Sequence, residues 1–214
     1  MRQFIRKIQK KLKPFGFDPI AFLNALRSIR TYNKEFRILK KQKADNHDFP
    51  FGKKFPIFSD RFSNSGIMSG HYFHQDLLVA KKIFHNSPKK HVDIGSRTDG
   101  FIAHLAVFRE VEVLDIRYQE SKVQNIIFKQ ADLMQLPKEM ESYTDSISAL
   151  HSIEHFGLGR YGDPIDYYGH EKGISNIYKI LKPGGKFYFS SPIGKQRIEF
   201  NAHRVFSIEY LLKM

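Results

Sequence analysis

The chain contains no cysteine, and its apolar runs are short. The absence of cysteine excludes a disulfide framework, a thiolate metal site and a cysteine nucleophile. No run approaches the roughly 20 apolar residues that a membrane span needs, and no secretory apolar region follows the basic start. The sequence has no H-E-x-x-H motif, and we expect no metal site. These absences favour a reducing, cytoplasmic setting.

The composition is that of a globular protein with an uneven charge. Of 214 residues, 41% are hydrophobic and 27% charged, and 20 Phe and 10 Tyr add bulk. At this length roughly two-thirds of the chain's surface leaves water on folding, which is enough for a real core. Residues 1–60 hold 15 Lys/Arg against 5 Asp/Glu, whereas residues 61–214 hold 20 against 17. The basic character therefore belongs to the N-terminal quarter.

The N-terminal residues predict a basic helical extension over residues 1–42. Apolar residues recur at helical spacing within residues 2–13, and basic residues fill the other face. Asp18 is a candidate N-cap for a second helix, with Pro19 at its first position. The extension either packs on the main domain or lies on an anionic membrane surface through residues 2–13. Nucleic acid is a third partner, disfavoured because no recognition-helix signature is present.

The remaining chain divides into a connector and a main domain. Residues 43–70 are rich in Gly, Pro, Ser, Asn and Asp and predict an irregular, aromatic-rich connector. In residues 71–214, short apolar strands alternate with helices, which predicts a Rossmann-like three-layer α/β sandwich with a mostly parallel sheet. The predicted strands are 91–96, 111–116, 126–132, 145–152 and 186–192. The predicted helices are 75–85, 100–108, 171–181 and one that follows an N-cap at Ser207.

Acidic residues stand at the ends of successive strands, where parallel sheets bind ligands. Gly95 permits a close backbone approach in the first turn, and the next helix offers free N–H groups. Asp115 lies 20 residues later, where a carboxylate accepts hydrogen bonds from both hydroxyls of a ribose. Asp132 is placed to accept from an adenine amino group. Each acid alone would fit a cap or a turn, but the ordered series predicts an adenosine-containing ligand.

The first turn does not fit a dinucleotide. A nicotinamide dinucleotide favours G-x-G-x-x-G, and the middle glycine is missing here. Asp99 near the helix start would repel a pyrophosphate. A ligand with a sulfonium and an amino-acid tail has no phosphate at this position, and its ammonium group has Asp93 or a strand-end carbonyl as a partner.

Together these segments resemble the ordered motifs of class I S-adenosylmethionine-dependent methyltransferases. The segments are HVDIGSRTDGF, VLDIR, QADLMQLP, SALHSIEHFGLGRYGD and LKPGGKFYFSSP. The blocks HYFHQD, HVDIGSRTDGF and EHFGLGRYGDPID resemble more closely a methyltransferase-like family, domain of unknown function 268 (DUF268). The resemblance covers about residues 56–212 and implies S-adenosylmethionine as the cofactor.

The resemblance also implies which residues bind that cofactor. The first motif matches at Asp93, Gly95 and Ser96. Asp115 matches the ribose-binding acid, with Ile116 beside the adenine. The remaining matches are the adenine contacts Asp132 and Leu133, and His151 near the methionine end.

Two departures from the family pattern stand out. Arg97 and Asp99 replace the usual glycines of the first motif, and Gly100 comes one place late. The family fold normally ends with two further strands, one of them antiparallel, but this sequence stops at Met214. We therefore expect either a truncated chain or a minimal sheet with an exposed edge.

Candidate catalytic residues follow the fourth strand. His151, Glu154 and His155 form a compact group, in which a histidine suits general-base work and a carboxylate could orient it. The alternative is that Glu154 and His155 cap the next segment and touch nothing reactive. Candidate acceptor-binding residues are Tyr72, Arg160, Tyr161 and Asp163, for which core packing or a solvated loop is the alternative.

The function expected from the sequence is methyl transfer to a small hydroxylated acceptor. The polar loop and the basic extension favour a saccharide, or its nucleotide-linked form, in cell-surface glycan biosynthesis. The expected location is the cytoplasm, with peripheral contact at the inner membrane surface. One alternative is a non-catalytic protein that retains the methyltransferase fold. The other is a scaffold that binds membrane or nucleic acid through its basic arm.

Overall fold

The computed structural model describes residues 9, 11–43, 48–58, 60–62, 66, 68, 70–120, 122–135 and 138–214. The chain divides into two compact units, one ending at Met68 and the other beginning at Ser69. The predicted amphipathic segment 2–13 lies largely outside the described residues. No helix in the described ranges is long and apolar enough to cross a membrane.

The first unit is built on one long helix, α1 (Pro19–Lys43). Asp18 caps it as predicted, because its Oδ1 accepts from the backbone N–H groups of Ile20 and Ala21 at 2.9 and 3.1 Å. Part of the aromatic connector packs on the same helix. Phe51 contacts Phe36 and Phe58 contacts Tyr32, at ring-centroid distances of 5.3 and 5.7 Å. The connector therefore supplies apolar partners for one face of α1.

The second unit contains a five-stranded parallel sheet. Its strands are β1 (Val92–Ile94), β2 (Val111–Asp115), β3 (Ile126–Gln130), β4 (Thr144–Leu150) and β5 (Leu181–Ser190), in the order β3-β2-β1-β4-β5. All four pairings are parallel. The predicted fold class is confirmed: the sheet has the Rossmann-like order of class I methyltransferases, with its reversal of strand order between β1 and β4.

Helices cover both faces of the sheet. The helices are α2 (His71–Asn86), α3 (Ala103–Ala106), which follows a π-helical turn at Thr98–Ile102, and α4 (Gly169–Ile180). Apolar residues of α2 and α3 form one core cluster with β2, and those of α4 form another with β1 and β4. The predicted helices are confirmed, although α2 begins four residues earlier than expected and α4 two residues earlier.

Among the described residues no further strand extends the parallel sheet beyond β5, in line with the expected minimal sheet. Two short strands, β6 (Arg197–Glu199) and β7 (His203–Val205), pair with each other in an antiparallel hairpin and form a separate sheet. The last helix, α5 (Ile208–Lys213), begins after Ser207, whose side chain accepts from the Tyr210 N–H as predicted. Residues 182–185, which lie between the predicted helix 171–181 and the predicted strand 186–192, fall inside β5, where its pairing with β4 is irregular between Thr144 and Ser146.

Candidate functional site

A pocket opens at the carboxyl ends of the parallel strands. About 510 Å³ of empty space, part of it open solvent, lies among its lining residues. Its lining residues are Ile94, Gly95, Leu114, Asp115, Ile116, Arg117, Ala131, Asp132, Leu133, Met134, His151, Ser152, His155, Phe156, Tyr161 and Asp163. Most of the predicted site residues are therefore brought together, while Asp93, Ser96, Glu154, Tyr72 and Arg160 lie outside this lining.

The turn after β1 requires glycine at position 95. Gly95 has φ +66°, and a Cβ there would lie 3.1 Å from the Cβ of Ser152. Its N–H donates to the Leu114 carbonyl at 2.9 Å, which ties the turn to the end of β2. The close packing of this turn on Ser152 allows its backbone to form part of the pocket wall.

Asp93 and Ser96 stabilise the turn after β1 through buried hydrogen bonds. The Asp93 carboxylate is fully buried and accepts from the N–H and Oγ of Ser96 and from the Oγ of Ser148, at 2.9, 2.8 and 2.5 Å. Burial raises the pKa of Asp93 to about 6. Ser96 Oγ also accepts from the Leu150 N–H at 3.2 Å. In this structure both side chains bind protein groups, and their contact with a cofactor stays a prediction.

Asp115 stands at the pocket rim, but its carboxylate already has a partner. Arg117 donates from Nε to Oδ1 at 3.0 Å and from Nη2 to Oδ2 at 2.6 Å, and its backbone N–H also donates to Oδ1. The Arg117 guanidinium lies 4.3 Å from the ring centroid of Tyr161. The predicted ribose-binding acid is thus held by a bidentate ion pair that a ligand would have to displace.

Asp132 forms the corresponding turn after β3. Its Oδ1 accepts from the Met134 N–H at 2.9 Å, and its carbonyl accepts from the Gln135 N–H at 2.9 Å. Asn176 of α4 donates to the Leu133 carbonyl at 2.9 Å. These bonds hold Asp132 and Leu133 at the pocket wall, and the side chains of Ile116 and Leu133 supply apolar surface beside the two acids.

His151 occupies an unusual backbone position at the end of β4. Its φ is +53°, a left-handed conformation that is uncommon outside glycine, and its N–H donates to the Ser190 carbonyl at 3.1 Å. The Nδ1 atom lies 3.1 Å from Oε1 of Glu154. The rings of His71 and Tyr72 contact the imidazole, with centroids 5.0 and 4.8 Å away. Strain of this kind is concentrated at functional sites.

Glu154 lies behind both candidate histidines. Its side chain is 1% exposed, its Oε1 is 4.0 Å from Nε2 of His155, and its Oε2 has no hydrogen-bond partner among the described residues. His155 donates from Nδ1 to the Ala202 carbonyl at 2.6 Å, and burial lowers its pKa. In both histidines Nδ1 has a partner within the protein, and their roles in catalysis stay predictions.

The loop after His155 carries the predicted acceptor residues. Asp163 accepts from the N–H groups of Gly159 and Tyr161, both at 3.1 Å, and so braces the loop. The Tyr161 ring meets His155 edge-on at 5.4 Å and lies 5.1 Å from the Arg160 guanidinium. Arg160 donates to the Ala202 carbonyl at 3.0 Å.

The C-terminal hairpin holds this loop in place. The buried guanidinium of Arg204 donates to the carbonyls of Phe156 and Tyr167, with the Tyr167 bond at 2.9 Å. Gly157 is required nearby, since a Cβ there would lie 2.0 Å from the Asp166 carbonyl oxygen. The β6–β7 hairpin thus contacts the pocket loop through both Arg204 and the Ala202 carbonyl.

Several buried oxygen atoms near the carboxyl ends of β4 and β5 have no hydrogen-bond partner among the described residues. They belong to Ser152, Glu154, Ser190 and Ser191. Buried polar atoms without partners are uncommon in proteins and often await a ligand or water. The region beside His151 is therefore suited to a polar ligand.

Sequence reasoning missed some residues of this site. Arg117, Ser152 and Phe156 line the pocket, and Ala202 holds His155 from the hairpin. Arg117 could have been predicted as the partner of Asp115, because a basic residue two positions after a strand-end acid can pair with it. His151 and His155 have H-x-x-x-H spacing, yet no group of three or more His, Asp or Glu in the described part of the chain is arranged to hold a metal ion.

Three solved structures with likeness to this chain are methyltransferases. The methyltransferase domain of bacterial CtHen1-CN is 14% identical, with a TM-score of 0.45, and the match covers 65% of this chain and 79% of that one. The 1,6-didemethyltoxoflavin-N1-methyltransferase of Burkholderia thailandensis is 16% identical, with a TM-score of 0.44 and 64% of each chain covered. Coclaurine N-methyltransferase is 12% identical, with a TM-score of 0.43, covering 99% of this chain and 70% of that one.

At these identities the likeness extends no further than the fold. The chain spans less than two-thirds of the length of the Burkholderia enzyme. No curated protein matches the chain. Residues 90–214, more than half of the sequence, match the family described as "Caenorhabditis protein of unknown function, DUF268", and the chain therefore belongs to the DUF268 family.

Proposed function

We propose that this protein is an S-adenosylmethionine-dependent methyltransferase. The observation that supports the proposal is the meeting of Gly95, Asp115, Asp132 and His151 at one pocket. The two acids are suited to a ribose and an adenine amino group, and Ile116 and Leu133 offer apolar surface for a base. When bound, the cofactor supplies an electrophilic methyl group on a sulfonium.

In this proposal His151 acts as the general base. With the cofactor bound, it would accept the proton of the acceptor hydroxyl as the methyl group is transferred from the sulfonium to that oxygen. Glu154 holds Nδ1 of the imidazole and leaves Nε2 to receive the proton, and it stabilises the positive charge that forms. His155 and Tyr72 position the reacting groups around His151.

The acceptor in this proposal is a small hydroxylated molecule, a saccharide or its nucleotide-linked form in glycan biosynthesis. Support comes from the loop of Arg160, Tyr161 and Asp163, which offers cationic, aromatic and polar groups beside His155. Such a combination suits a hydroxyl-rich ligand with an apolar ring face.

The cofactor proposal is tested by calorimetry with S-adenosylmethionine and S-adenosylhomocysteine. We expect the wild-type protein to bind both, and Asp115→Ala to weaken binding by about 1.5–3 kcal/mol, because hydrogen bonds to a charged group are lost. Glu199→Ala is a matched control, since Glu199 also pairs with an arginine two positions away but lies in the hairpin. Absence of heat with the wild-type protein would contradict the proposal.

We also propose that the N-terminal unit attaches the cytoplasmic protein to an anionic membrane surface. On α1, Phe22, Leu26 and Ile29 recur at i, i+4 and i+7 and are exposed, with Arg30 and Arg37 exposed beside them. Such a helix combines apolar insertion with attraction of about 1 kcal/mol per basic residue. This face extends the predicted role of residues 2–13.

Vesicle flotation tests the membrane proposal. We expect the full chain to float with vesicles containing phosphatidylserine and to stay behind with neutral phosphatidylcholine vesicles. Phe22→Ser with Leu26→Ser should release the protein, whereas the matched change Leu77→Ser with Leu78→Ser, on exposed residues of α2, should not. Equal partitioning of the wild type onto both kinds of vesicle would rule out the proposed attachment.

A further inference from the structure

Two arginines lie near the same aromatic ring at the mouth of the pocket. The guanidinium carbons of Arg117 and Arg160 are 4.3 and 5.1 Å from the ring centroid of Tyr161. The Arg117 side chain is 52% exposed, and Arg160 is exposed as well. Two positive charges are thus gathered at one point of the rim, beside His155.

The two arginines have different partners. Arg117 is bound to the Asp115 carboxylate through both Nε and Nη2. Arg160 donates to the Ala202 carbonyl and lies 3.5 Å from Nδ1 of His155. Among the described residues, no carboxylate lies within 4.0 Å of the Arg160 guanidinium. Of the two arginines, only Arg117 therefore has an ion-pair partner among the described residues.

The proposed function gives Asp115 a second partner. The Asp115 carboxylate, which has about four acceptor sites, already accepts three hydrogen bonds from Arg117, so two ribose hydroxyls would displace at least one of them. The Arg117 guanidinium then has free N–H donors while it remains beside Tyr161 and Arg160. Two arginines with free donors can bind a planar or tetrahedral anion, because guanidinium groups bind carboxylate and phosphate in bidentate fashion.

We propose that Arg117 and Arg160 bind an anionic group of the acceptor, and that cofactor binding at Asp115 completes this site. The proposal rests on the proposed function and narrows it: the acceptor carries a phosphate or a carboxylate, and it binds after the cofactor. The anion lies at the Tyr161 side of the pocket, and the hydroxyl to be methylated lies towards His151.

Because of thermodynamic linkage, the proposed anion site can be tested through the affinity for the cofactor, without knowledge of the true acceptor. An anion that binds better when Asp115 is occupied must strengthen cofactor binding by the same factor. Glucose 1-phosphate and glucuronate are suitable probes for the two sources of negative charge, and neutral glucose is the control for the sugar ring. The affinity for S-adenosylhomocysteine is measured by calorimetry with each probe at constant ionic strength.

We expect glucose 1-phosphate, glucuronate or both to tighten S-adenosylhomocysteine binding by roughly five- to tenfold, within the usual range of coupling between sites. An effect of the phosphate alone assigns a phosphorylated acceptor, and an effect of glucuronate alone assigns a carboxylated one. Either result supports the proposal. No effect of either anion, or an equal effect of glucose, would overturn it.

Variants identify the residues responsible. Arg117→Gln and Arg160→Gln should each abolish the coupling, and Arg117→Lys should reduce it because a lysine cannot pair in bidentate fashion. Arg197→Gln is the matched control, since Arg197 pairs with Glu199 two positions away and lies in the hairpin. Thermal melting confirms that each variant is folded.

The two proposals fail in distinguishable ways. If the wild-type protein binds no S-adenosylhomocysteine, the methyltransferase proposal fails and the anion site falls with it. If S-adenosylhomocysteine binds but the probes leave its affinity unchanged, the cofactor site stands and the anion site is wrong. Coupling that persists in both Arg117→Gln and Arg160→Gln would also overturn the assignment.

Discussion

Polar groups lie at both the amino and the carboxyl ends of the parallel sheet, but the two ends differ in how these groups are paired. At the amino end, Glu112 lies between Lys90 and Lys129 at 3.2 and 3.0 Å, and Asp145 accepts from two backbone N–H groups at 2.8 Å. His91 contacts two serine hydroxyls at 2.7 and 3.0 Å. Each of these side chains has a hydrogen-bond or ion-pair partner inside the protein.

At the carboxyl end, several buried oxygen atoms in the described part of the chain lack such partners. His151 has a left-handed backbone, and buried oxygens of Ser152, Glu154 and Ser190 lack partners among the described residues. Asp115 is paired, but with an arginine that is half exposed. The difference indicates that the amino end contributes stability, while the carboxyl end is arranged for a ligand that completes it.

The largest effect is expected at the carboxyl end. His151→Ala should lower methyl transfer by about 10²–10⁴-fold, the usual contribution of a general base, while leaving S-adenosylhomocysteine bound. Transfer of labelled methyl to sugar phosphates and glucuronides is the measurement, and His85→Ala, an exposed histidine of α2, is the control. If both His151→Ala and His155→Ala keep full turnover, the base assignment is wrong.

The next prediction concerns His91 and Asp93, which are joined through the hydroxyl of Ser148. Ser148 Oγ donates to Asp93, so Nε2 of His91 is the donor to Ser148. Burial lowers the pKa of His91 to about 3 and raises that of Asp93 to about 6. Since unfolded His and Asp titrate near about 6.5 and 3.9, falling pH weakens folding through His91, and rising pH weakens it through Asp93.

Between about pH 4 and 6, the contributions of His91 and Asp93 to stability change in opposite directions. The variant His91→Asn keeps only the Asp93 contribution, so its free energy of unfolding should fall by roughly 3 kcal/mol as the pH rises from about 4 to 6. The variant Asp93→Asn keeps only the His91 contribution, so its free energy of unfolding should rise by a similar amount over the same increase in pH. Urea denaturation at pH 4, 5 and 6 measures both. Equal slopes in the two variants would show that the predicted opposition does not exist.

A smaller effect is expected for the ion pairs of the amino end. Glu112→Gln should lower the free energy of unfolding by about 2 kcal/mol, because the buried carboxylate binds Tyr143 and two partly exposed lysines. Its affinity for S-adenosylhomocysteine should be unchanged, the reverse of Asp115→Ala. Glu110→Gln, at an exposed neighbouring position, is the control. A change in affinity with unchanged stability would contradict the division between the two ends.

The sequence predicted the sheet and the order of its strand-end residues, because apolar strands and their turns leave strong local patterns. It did not predict the β6–β7 hairpin. The strands RIE and HRV are three residues long and carry mostly polar side chains, so they lack a recognisable alternation. Short polar strands form through contacts with distant residues, and local patterns do not reveal them.

The pocket was predictable in part for the same reason. Asp115 and Asp132 follow their strands directly, so topology alone brings them to one edge. The partner of Asp115 and the backbone of His151 depend on tertiary contacts that no local spacing encodes. The contact of Asp93 with a cofactor stays a prediction, and its bond to Ser148 of a neighbouring strand is a tertiary contact that no local spacing encodes.

The hairpin acts on one side of the pocket only. Arg204 and the Ala202 carbonyl hold the loop that bears Tyr161, yet neither belongs to the sheet that carries the strand-end acids. Mutations in these few C-terminal residues would shift the loop and leave the strand-end acids in place. One side of the pocket can therefore change through the hairpin while the strand-end acids stay constant.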